Sequence, residues 1–548
     1  MSKQAYQPFY DQFDVDRLAQ EVLTTDLAVG MNACQEICDK WASDPQRLAL
    51  NFEGVEREAE SWSFARLQQA AARFANLLAE QGVGKGDRVA GLLPRTPELL
   101  VVILGTLRAG AVYQPLFTAF GSGAIEYRLD KANTRLVVTD DQYRFKLDDV
   151  QQCPPIVRVS SRGADTHTDL DYHQQMARQS DRFEPVLIQA DEPILQMFTS
   201  GTVGKSKGVA VPARALLSFY VYMRYAIDLQ PDDRYWNVAD PGWAYGLYYA
   251  VIGPLLLGAT THFNENGFTP ETTYAMIRRY NITNLAAAPT AYRLLMAHDG
   301  LLPEGEQLSL RVANSAGEPL NPEVVNWVAR RLGCPVMDHY GQTETGMTCC
   351  NHHALEHPLR VGSMGYSLPG HRVVALDGDF NEVGAGETGQ LAVDIHRSPL
   401  FFFQGYTWDE KDPFHDGYYL TGDVAISHGD GSFSFTGRDD DIITTAGYRV
   451  GPADVESTLL EHPAVAESGV VGKPDSARGA VIKAYVVTKP QYDADENLAD
   501  ELKELVRNRL STHAFPREIE FVHELPKTPS GKIQRFILRN QAREEADQ

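Results

Sequence analysis

Phe198-Thr199-Ser200-Gly201-Thr202-Val203-Gly204-Lys205-Ser206-Lys207-Gly208-Val209 sets three glycines, two lysines and four hydroxyl residues between two apolar runs, Pro193–Phe198 and Val209–Val211. A strand that opens into a Gly/Ser/Thr loop and returns to an apolar segment presents backbone N–H groups, hydroxyls and ammonium groups to a polyphosphate. The spacing is not that of a Walker A loop, which needs glycine five residues before Gly-Lys-Ser/Thr. Thr199 stands at that position, and Gly208 and Pro212 make the following segment poor helix material. Alone, the stretch reads equally as a solvated turn, so the rest of the chain decides.

Outward from this loop the chain alternates helices with short apolar strands. Ser63 caps a helix that carries Phe64, Leu67, Ala71, Phe74, Leu77 and Leu78 on one stripe and ends near Gly82 and Gly84. Strands are predicted at 87–93, 111–116 and 136–139, with a helix over 96–109 between the first two. The same alternation recurs from 213 to 345, with strands at 283–288 and 335–338. Such alternation implies parallel α/β sheets. From about 360 the texture changes to strands punctuated by Gly and Pro (373–376, 389–393, 432–435), a β-rich subdomain. After the charged break Gly437-Arg438-Asp439-Asp440-Asp441, the remaining residues read as a small α+β domain. It has strands at 480–487 and 519–522 and helices at 454–460 and 498–510. The predicted fold is therefore α/β. A large N-terminal domain (1–439) holds parallel α/β sheets and the β-rich subdomain, and a small C-terminal domain (440–548) follows.

The bulk numbers bound the function. A chain of 548 residues exceeds one hydrophobic core, and 43% hydrophobic with 22% charged residues is ordinary for a soluble globular enzyme. A formal net charge of −23 argues against nucleic-acid or anionic-membrane partners. A polyphosphate ligand would need local cations to overcome that field. The six cysteines show no zinc-type spacing and fit a reducing compartment. The polar, acidic N-terminus resembles neither a signal nor a transit peptide, and no apolar run is long enough to span a bilayer, so a cytoplasmic location is expected.

Further clusters are rich in chemistry: Asp338-His339-Tyr340-Gly341-Gln342-Thr343-Glu344-Thr345-Gly346, Tyr418-Tyr419-Leu420-Thr421-Gly422-Asp423, Gly437–Asp441, Ala446–Val450 and Pro526-Lys527-Thr528-Pro529-Ser530-Gly531-Lys532. Together with the first loop, in this order, they resemble the superfamily of acyl- and aryl-CoA synthetases, peptide-synthetase adenylation domains and firefly-type luciferases. The resemblance extends over residues 45–537. It implies two half-reactions: a carboxylate attacks the α-phosphate of ATP to give acyl-AMP and pyrophosphate, and a thiol, usually of CoA, then displaces AMP. Such chemistry needs positioning and charge neutralisation rather than a protein nucleophile.

The resemblance also implies roles. Thr199, Ser200, Gly201, Thr202 and Lys207 would grip the β- and γ-phosphates, with Val203 and Ser206 departing from the commoner Thr and Pro. Glu344, with Thr199, would hold Mg²⁺. Gln342 and Thr343 would line the α-phosphate site, Gly317, Glu318 and Pro319 with Asp338, His339 and Tyr340 would surround adenine, and Asp423 and Arg438 would bind the ribose. Lys532 would reach the α-phosphate and the carboxylate during adenylation. Asp440 would be the hinge about which the small domain swings, bringing Gly447 and Tyr448 to the thiol channel, with Arg449 near a phosphate. Arg144 and Lys146 are further CoA candidates on charge alone. The segment Pro526–Lys532 resembles a site of lysine acetylation, which makes an acetyltransferase and a deacetylase partners, and a homodimer is the implied assembly.

For the acid, Tyr340-Gly341 stands where acetyl-CoA synthetases resemble Trp-Trp, and the missing indole at Gly341 would open room for several methylenes. Trp243, Ala244 and Tyr245 would touch the acyl group. A short-to-medium or branched aliphatic acid is the expected substrate. An aryl acid, transfer to a carrier-protein thiol, and a nucleotide sensor without turnover are the alternatives.

Overall fold

A computed structural model describes residues 3–160, 169–199, 206–408, 412–445, 448–475, 479–511, 513–527 and 532–546, with the side chains of Tyr448 and Arg449 outside that description. The helix expected after Ser63 runs Phe64–Glu80, and the Ser63 hydroxyl accepts the Arg66 amide at 3.2 Å. Every residue of its predicted stripe is fully buried. The following helix, Pro97–Arg108, is buried on all sides, as its apolar composition requires.

These helices cover a seven-stranded sheet whose order is Gly208–Pro212, Pro193–Phe198, Val112–Pro115, Arg88–Leu92, Thr134–Asp140, Ile156–Val159, Leu170–Asp171. Its strands run parallel except for the edge strand Gly208–Pro212, which is antiparallel to Pro193–Phe198. The glycine-rich stretch is thus the connection of an edge hairpin, whose ladder pairs Phe198 with Gly208.

A six-stranded sheet follows in the order Tyr235–Asn237, Asn284–Ala287, Val312–Ala316, Val336–Gln342, Gly346–Cys350, Tyr366–Ser367. Here the structure corrects the sequence reading. The strand predicted to end at Asp338 continues to Gln342, because the returning strand Gly346–Cys350 pairs with it. The residues from Asp338 to Gln342 therefore lie on a strand and not in a loop beyond it, and their side chains alternate between its two faces.

The β-rich subdomain is a five-stranded sheet (Val373–Leu376, Thr388–Asp394, Tyr418–Ser427, Phe414–His415, with Phe433–Arg438 on Tyr418–Ser427). A separate C-terminal domain packs Val455, Leu459, Val470, Ile482, Ala484 and Leu502 around its own three-stranded sheet, Val465–Asp475, Gly479–Thr488 and Glu518–Phe521. All six cysteines are free. Among the described residues no helix is long and apolar enough to cross a membrane.

Candidate active site

The hairpin stem is closed by the Thr199 amide, which donates to the Lys207 carbonyl at 2.9 Å. Gly208 is needed here: a Cβ on it would lie 2.4 Å from the Trp408 ring, which also packs at a tilt on Phe198 of the stem. The segment 406–408 is laced to the edge strand by the Thr407 amide, which donates to Gly208 O at 2.9 Å. That lacing brings the Tyr406 ring to 4.4 Å from the Lys207 ammonium. The Tyr406 hydroxyl in turn donates to Glu344 Oε1 at 2.9 Å. One tyrosine thus joins the loop's cation to the carboxylate expected to hold a metal. Ser200, Gly201 and Thr202 lie outside the described residues.

Glu344 is buried, and burial raises its carboxyl above the usual range while the Tyr406 hydrogen bond opposes that rise. A desolvated carboxylate covered by one phenol is a hard-oxygen donor of the kind a divalent cation requires. Among the described residues no cluster of three acidic, histidine or cysteine side chains placed to hold a metal ion exists.

Asp423 is the centre of the second half of the site. Cross-strand pairing sets it opposite Arg438, whose Nη1 donates to its Oδ1 at 3.2 Å. On its other oxygen it accepts the Tyr340 hydroxyl at 2.5 Å and Gln342 Nε2 at 2.8 Å. Tyr340 and Gln342 reach it together because residues i and i+2 of a strand share a face. Gln342 is itself oriented by the Tyr419 hydroxyl at 2.9 Å and by the Thr421 carbonyl at 2.9 Å. Burial pushes the Asp423 carboxyl up. Arg438, Tyr340, Gln342 and the Lys532 ammonium each pull it down. The charge of Lys532 thus contributes to the potential at this carboxylate.

Asp338 lies near the segment 317–319: it accepts the amides of Leu320 (3.3 Å) and His339 (3.1 Å), and burial pushes its carboxyl up to about 8. Glu318 accepts Thr290 Oγ1 at 2.8 Å and Arg293 Nη2 at 2.7 Å. The Thr343 carbonyl accepts the Tyr248 hydroxyl at 3.0 Å.

His339 faces away from this group. Its Nε2 lies 3.0 Å from the Asn351 carbonyl and its Nδ1 lies 2.8 Å from the Tyr222 hydroxyl, which is 3.2 Å from the Tyr245 hydroxyl. Burial holds the imidazole neutral, with its pKa pushed down to about 3. A carbonyl accepts only, so Nε2 carries the ring proton and Nδ1 accepts from Tyr222. Tyr222 then has no proton left for Tyr245, so Tyr245 donates to Tyr222, and the free lone pairs of the chain are on the Tyr245 oxygen. The structure therefore groups His339 with Tyr245 on the expected acyl side and not with Asp338 on the base side. Trp243 and Ala244 stand beside Tyr245 in sequence. The Trp243 ring packs on Phe117 at 5.3 Å and Phe120 at 5.5 Å.

Two expectations are corrected. Gly341 does not open an acyl cavity by lacking an indole. A Cβ built on it would lie 2.2 Å from the Gly346 carbonyl oxygen and 2.6 Å from Met347 Cα, so its open side faces the backbone of the paired strand. Arg144 and Lys146 are engaged internally, Arg144 with Asp169 (2.5 Å) and Asp148 (2.7 Å), Lys146 with the Thr118 (2.5 Å) and Phe120 (2.9 Å) carbonyls. Lys146 thus shapes the loop that packs on Trp243. Gly447 lies outside the described residues, and Tyr448 and Arg449 are placed only as members of the strand Tyr448–Val450. Tyr406 and Tyr222 escape sequence reading, and Tyr419 stands in the Tyr418–Asp423 cluster with no role read for it. For Tyr406 a signal existed, the aromatic run Phe401-Phe402-Phe403-Gln404-Gly405-Tyr406-Thr407-Trp408, which fits neither strand nor helix periodicity.

A family model described as AMP-binding enzyme matches residues 38–407, and one described as AMP-binding enzyme C-terminal domain matches residues 454–532. The acetyl-coenzyme A synthetase of Bacillus subtilis (strain 168) is 35% identical over 521 residues, spanning 93% of this chain and 90% of that protein. A solved Brucella canis acyl-CoA synthetase is 49% identical with a TM-score of 0.80, covering 100% of each chain. The anthranilate CoA ligase AuaEII, solved with anthranoyl-AMP, is 25% identical with a TM-score of 0.86, covering 96% of this chain and 100% of that one.

Proposed function

The chain belongs to the AMP-binding enzymes, and on that footing we propose that it is an AMP-forming acid–thiol ligase. It joins a carboxylic acid to ATP as acyl-AMP with release of pyrophosphate, then passes the acyl group to CoA. The observation that carries this reading is the convergence on the buried Asp423 carboxylate of Tyr340, Gln342, Arg438 and, across the domain boundary, the charge of Lys532. A carboxylate so placed accepts the two hydroxyls of a ribose, and Lys532 meets charge developing at the α-phosphate and the carboxylate. The stem of the loop, through Lys207, neutralises the outer phosphates. Bound Mg²⁺ would supply charge neutralisation between phosphates, with Glu344 as its protein ligand and Thr199 beside it.

We place the domain boundary at residues 439/440 with Asp440 as the hinge. Its support is a cluster of charges at that point: Arg438 Nε lies 3.6 Å from Asp440, and Arg539 Nη1 donates to the Asp440 carbonyl and to Asp441, each at 2.5 Å. Rotation there would withdraw Lys532 after adenylation and bring the strand of Tyr448 and Arg449 to the acceptor thiol. Acetylation of Lys532 would remove its charge, so an acetyltransferase and a deacetylase are proposed as regulatory partners, acting in the cytoplasm.

The proposed substrate is a short-to-medium or branched aliphatic acid, supported by the aromatic wall of Trp243, Phe117 and Phe120. An aryl acid bearing an amine or hydroxyl is the second reading, favoured by the hydrogen-bond direction that leaves the Tyr245 oxygen as an acceptor. A panel of carboxylic acids, read by pyrophosphate release with and without CoA, tests both. Acid-dependent pyrophosphate release with CoA thioester formation is expected. No release with any acid would refute the ligase, and release without a CoA thioester would move the acceptor to a carrier thiol.

A further inference from the structure

Helix Ser122–Lys131 presents two consecutive side chains to Ser206. The Tyr127 hydroxyl donates to the Ser206 carbonyl at 2.9 Å, and Arg128 Nη2 donates to the Ser206 hydroxyl at 2.9 Å. The rest of the Arg128 environment is unusual for a guanidinium. Nη1 donates to Ala124 O at 2.8 Å, and Nε is buried without a hydrogen-bond partner. The group lies 4.1 Å from the Phe120 ring centre and 5.4 Å from that of Phe198. The residue is 7% exposed, and no described carboxylate forms an ion pair with it. Burial lowers its pKa to about 10. An isolated buried cation is costly, and two aromatic faces offset only part of that cost.

Ser206 directly precedes Lys207, whose carbonyl closes the hairpin stem and whose ammonium sits against Tyr406. Holding Ser206 at both its carbonyl and its hydroxyl fixes the peptide that aims Lys207. Proline, the commoner residue at this point in the family that the sequence resembles, would fix the same peptide through its ring, which locks φ near about −65°.

Resting on the ligase reading above, we propose that Arg128 is a positioning residue for ATP: with Tyr127 it clamps Ser206, doing by hydrogen bonds what a proline ring would do, and so aims Lys207 at the polyphosphate. Its positive charge adds attraction for the same anion across the stem. The clamp acts through Ser206 and does not touch the reacting atoms. It should therefore govern nucleotide binding and leave the carboxylic acid site alone.

Equilibrium titration of Mg²⁺-ATP into the full-length protein, without acid, tests this. R128A should weaken ATP binding about tenfold or more, the loss of a hydrogen bond from a charged donor, while the KM for the acid stays within about twofold. S206A, which opens no cavity and threatens no fold, should weaken ATP in the same direction by less. Introducing S206P into R128A should restore ATP binding to within about threefold of wild type, because φ is then fixed covalently. ATP binding unchanged in both R128A and S206A, or an R128A defect that S206P does not relieve, overturns the clamp. A wild-type protein that binds no ATP overturns the ligase reading itself, so the two failures are distinct.

Discussion

Tyr406→Phe removes one hydroxyl and leaves the ring beside Lys207, so it separates the two contacts that this residue makes. The lost contact is the 2.9 Å donation to Glu344. A hydrogen bond to a charged acceptor is worth about 1.5–3 kcal/mol, which corresponds to roughly 10- to 150-fold in the Mg²⁺ requirement or in kcat. The pH dependence should move as well. Burial raises the Glu344 carboxyl and the Tyr406 hydroxyl opposes it, so removing the hydroxyl lets the carboxyl rise further. A protonated Glu344 is a poor ligand for a hard cation. The acid limb of the rate profile should therefore shift to higher pH, with the alkaline side unchanged. Tyr406→Leu also removes the ring 4.4 Å from the Lys207 ammonium. Loss of that cation–π contact, about 0.5–2 kcal/mol, should add roughly 2- to 30-fold to the KM for ATP. Both variants are assayed by pyrophosphate release across Mg²⁺ concentration, ATP concentration and pH. An unshifted acid limb with an unchanged Mg²⁺ requirement in the phenylalanine variant would refute the bridging role. So would a leucine variant with the same ATP dependence as phenylalanine.

Lys532→Ala should abolish acid-dependent pyrophosphate release, by about 100-fold or more, while thioester formation from supplied acyl-AMP continues; equal loss of both half-reactions would remove Lys532 from the adenylation step. Gly341→Ala should destabilise the protein by about 1–3 kcal/mol through overlap with Gly346 and leave acyl selectivity unchanged, checked by thermal unfolding and the acid panel. A shift toward acetate in Gly341→Trp at unchanged stability would reverse that placement. Asp338→Asn should flatten the dependence of stability on pH. The folded pKa of Asp338, about 8, lies above that of the unfolded chain, so its contribution is full below about 4 and is lost as pH rises toward 8. Parallel melting curves for wild type and variant between these limits would exclude that burial.

The sequence made the skeleton legible because each element had a local cause. The stripe after Ser63 and the parallel strands at 88–92 and 112–115 follow from periodicity within a dozen residues. It misplaced the end of the strand through Asp338 because that end depends on pairing with Gly346–Cys350, which turn back onto it. The same non-local fact misled the reading of Gly341. A missing side chain is visible in a sequence, but the backbone that fills its place is not. Motif likeness points to Asp423, Arg438 and Glu344, whereas Tyr406, which bonds Glu344, and Tyr222, which bonds His339, come from segments with no motif of their own. Arg144 and Lys146 show the opposite error, since charge is legible in a sequence and its partners are not.

These partners explain how a chain of net charge −23 can hold a polyphosphate. The carboxylates expected around the nucleotide are already met from within the large domain: Glu344 by a phenol, Asp423 by a phenol, an amide and a guanidinium. Each donor draws negative charge inward and away from the phosphates. A further permanent cation on the same scaffold would be held by these carboxylates and would favour the nucleotide equally before and after chemistry, which does not accelerate a reaction. Carrying Lys532 on a domain hinged at Asp440, as proposed, would avoid this. In the proposed cycle the ammonium is present while charge develops at the α-phosphate and absent when the thiol must approach. The Arg438–Asp440 contact would then bias the balance between the two half-reactions in that cycle, because rotation about Asp440 would break and remake it, while Arg539 and Asp441 travel together on the small domain.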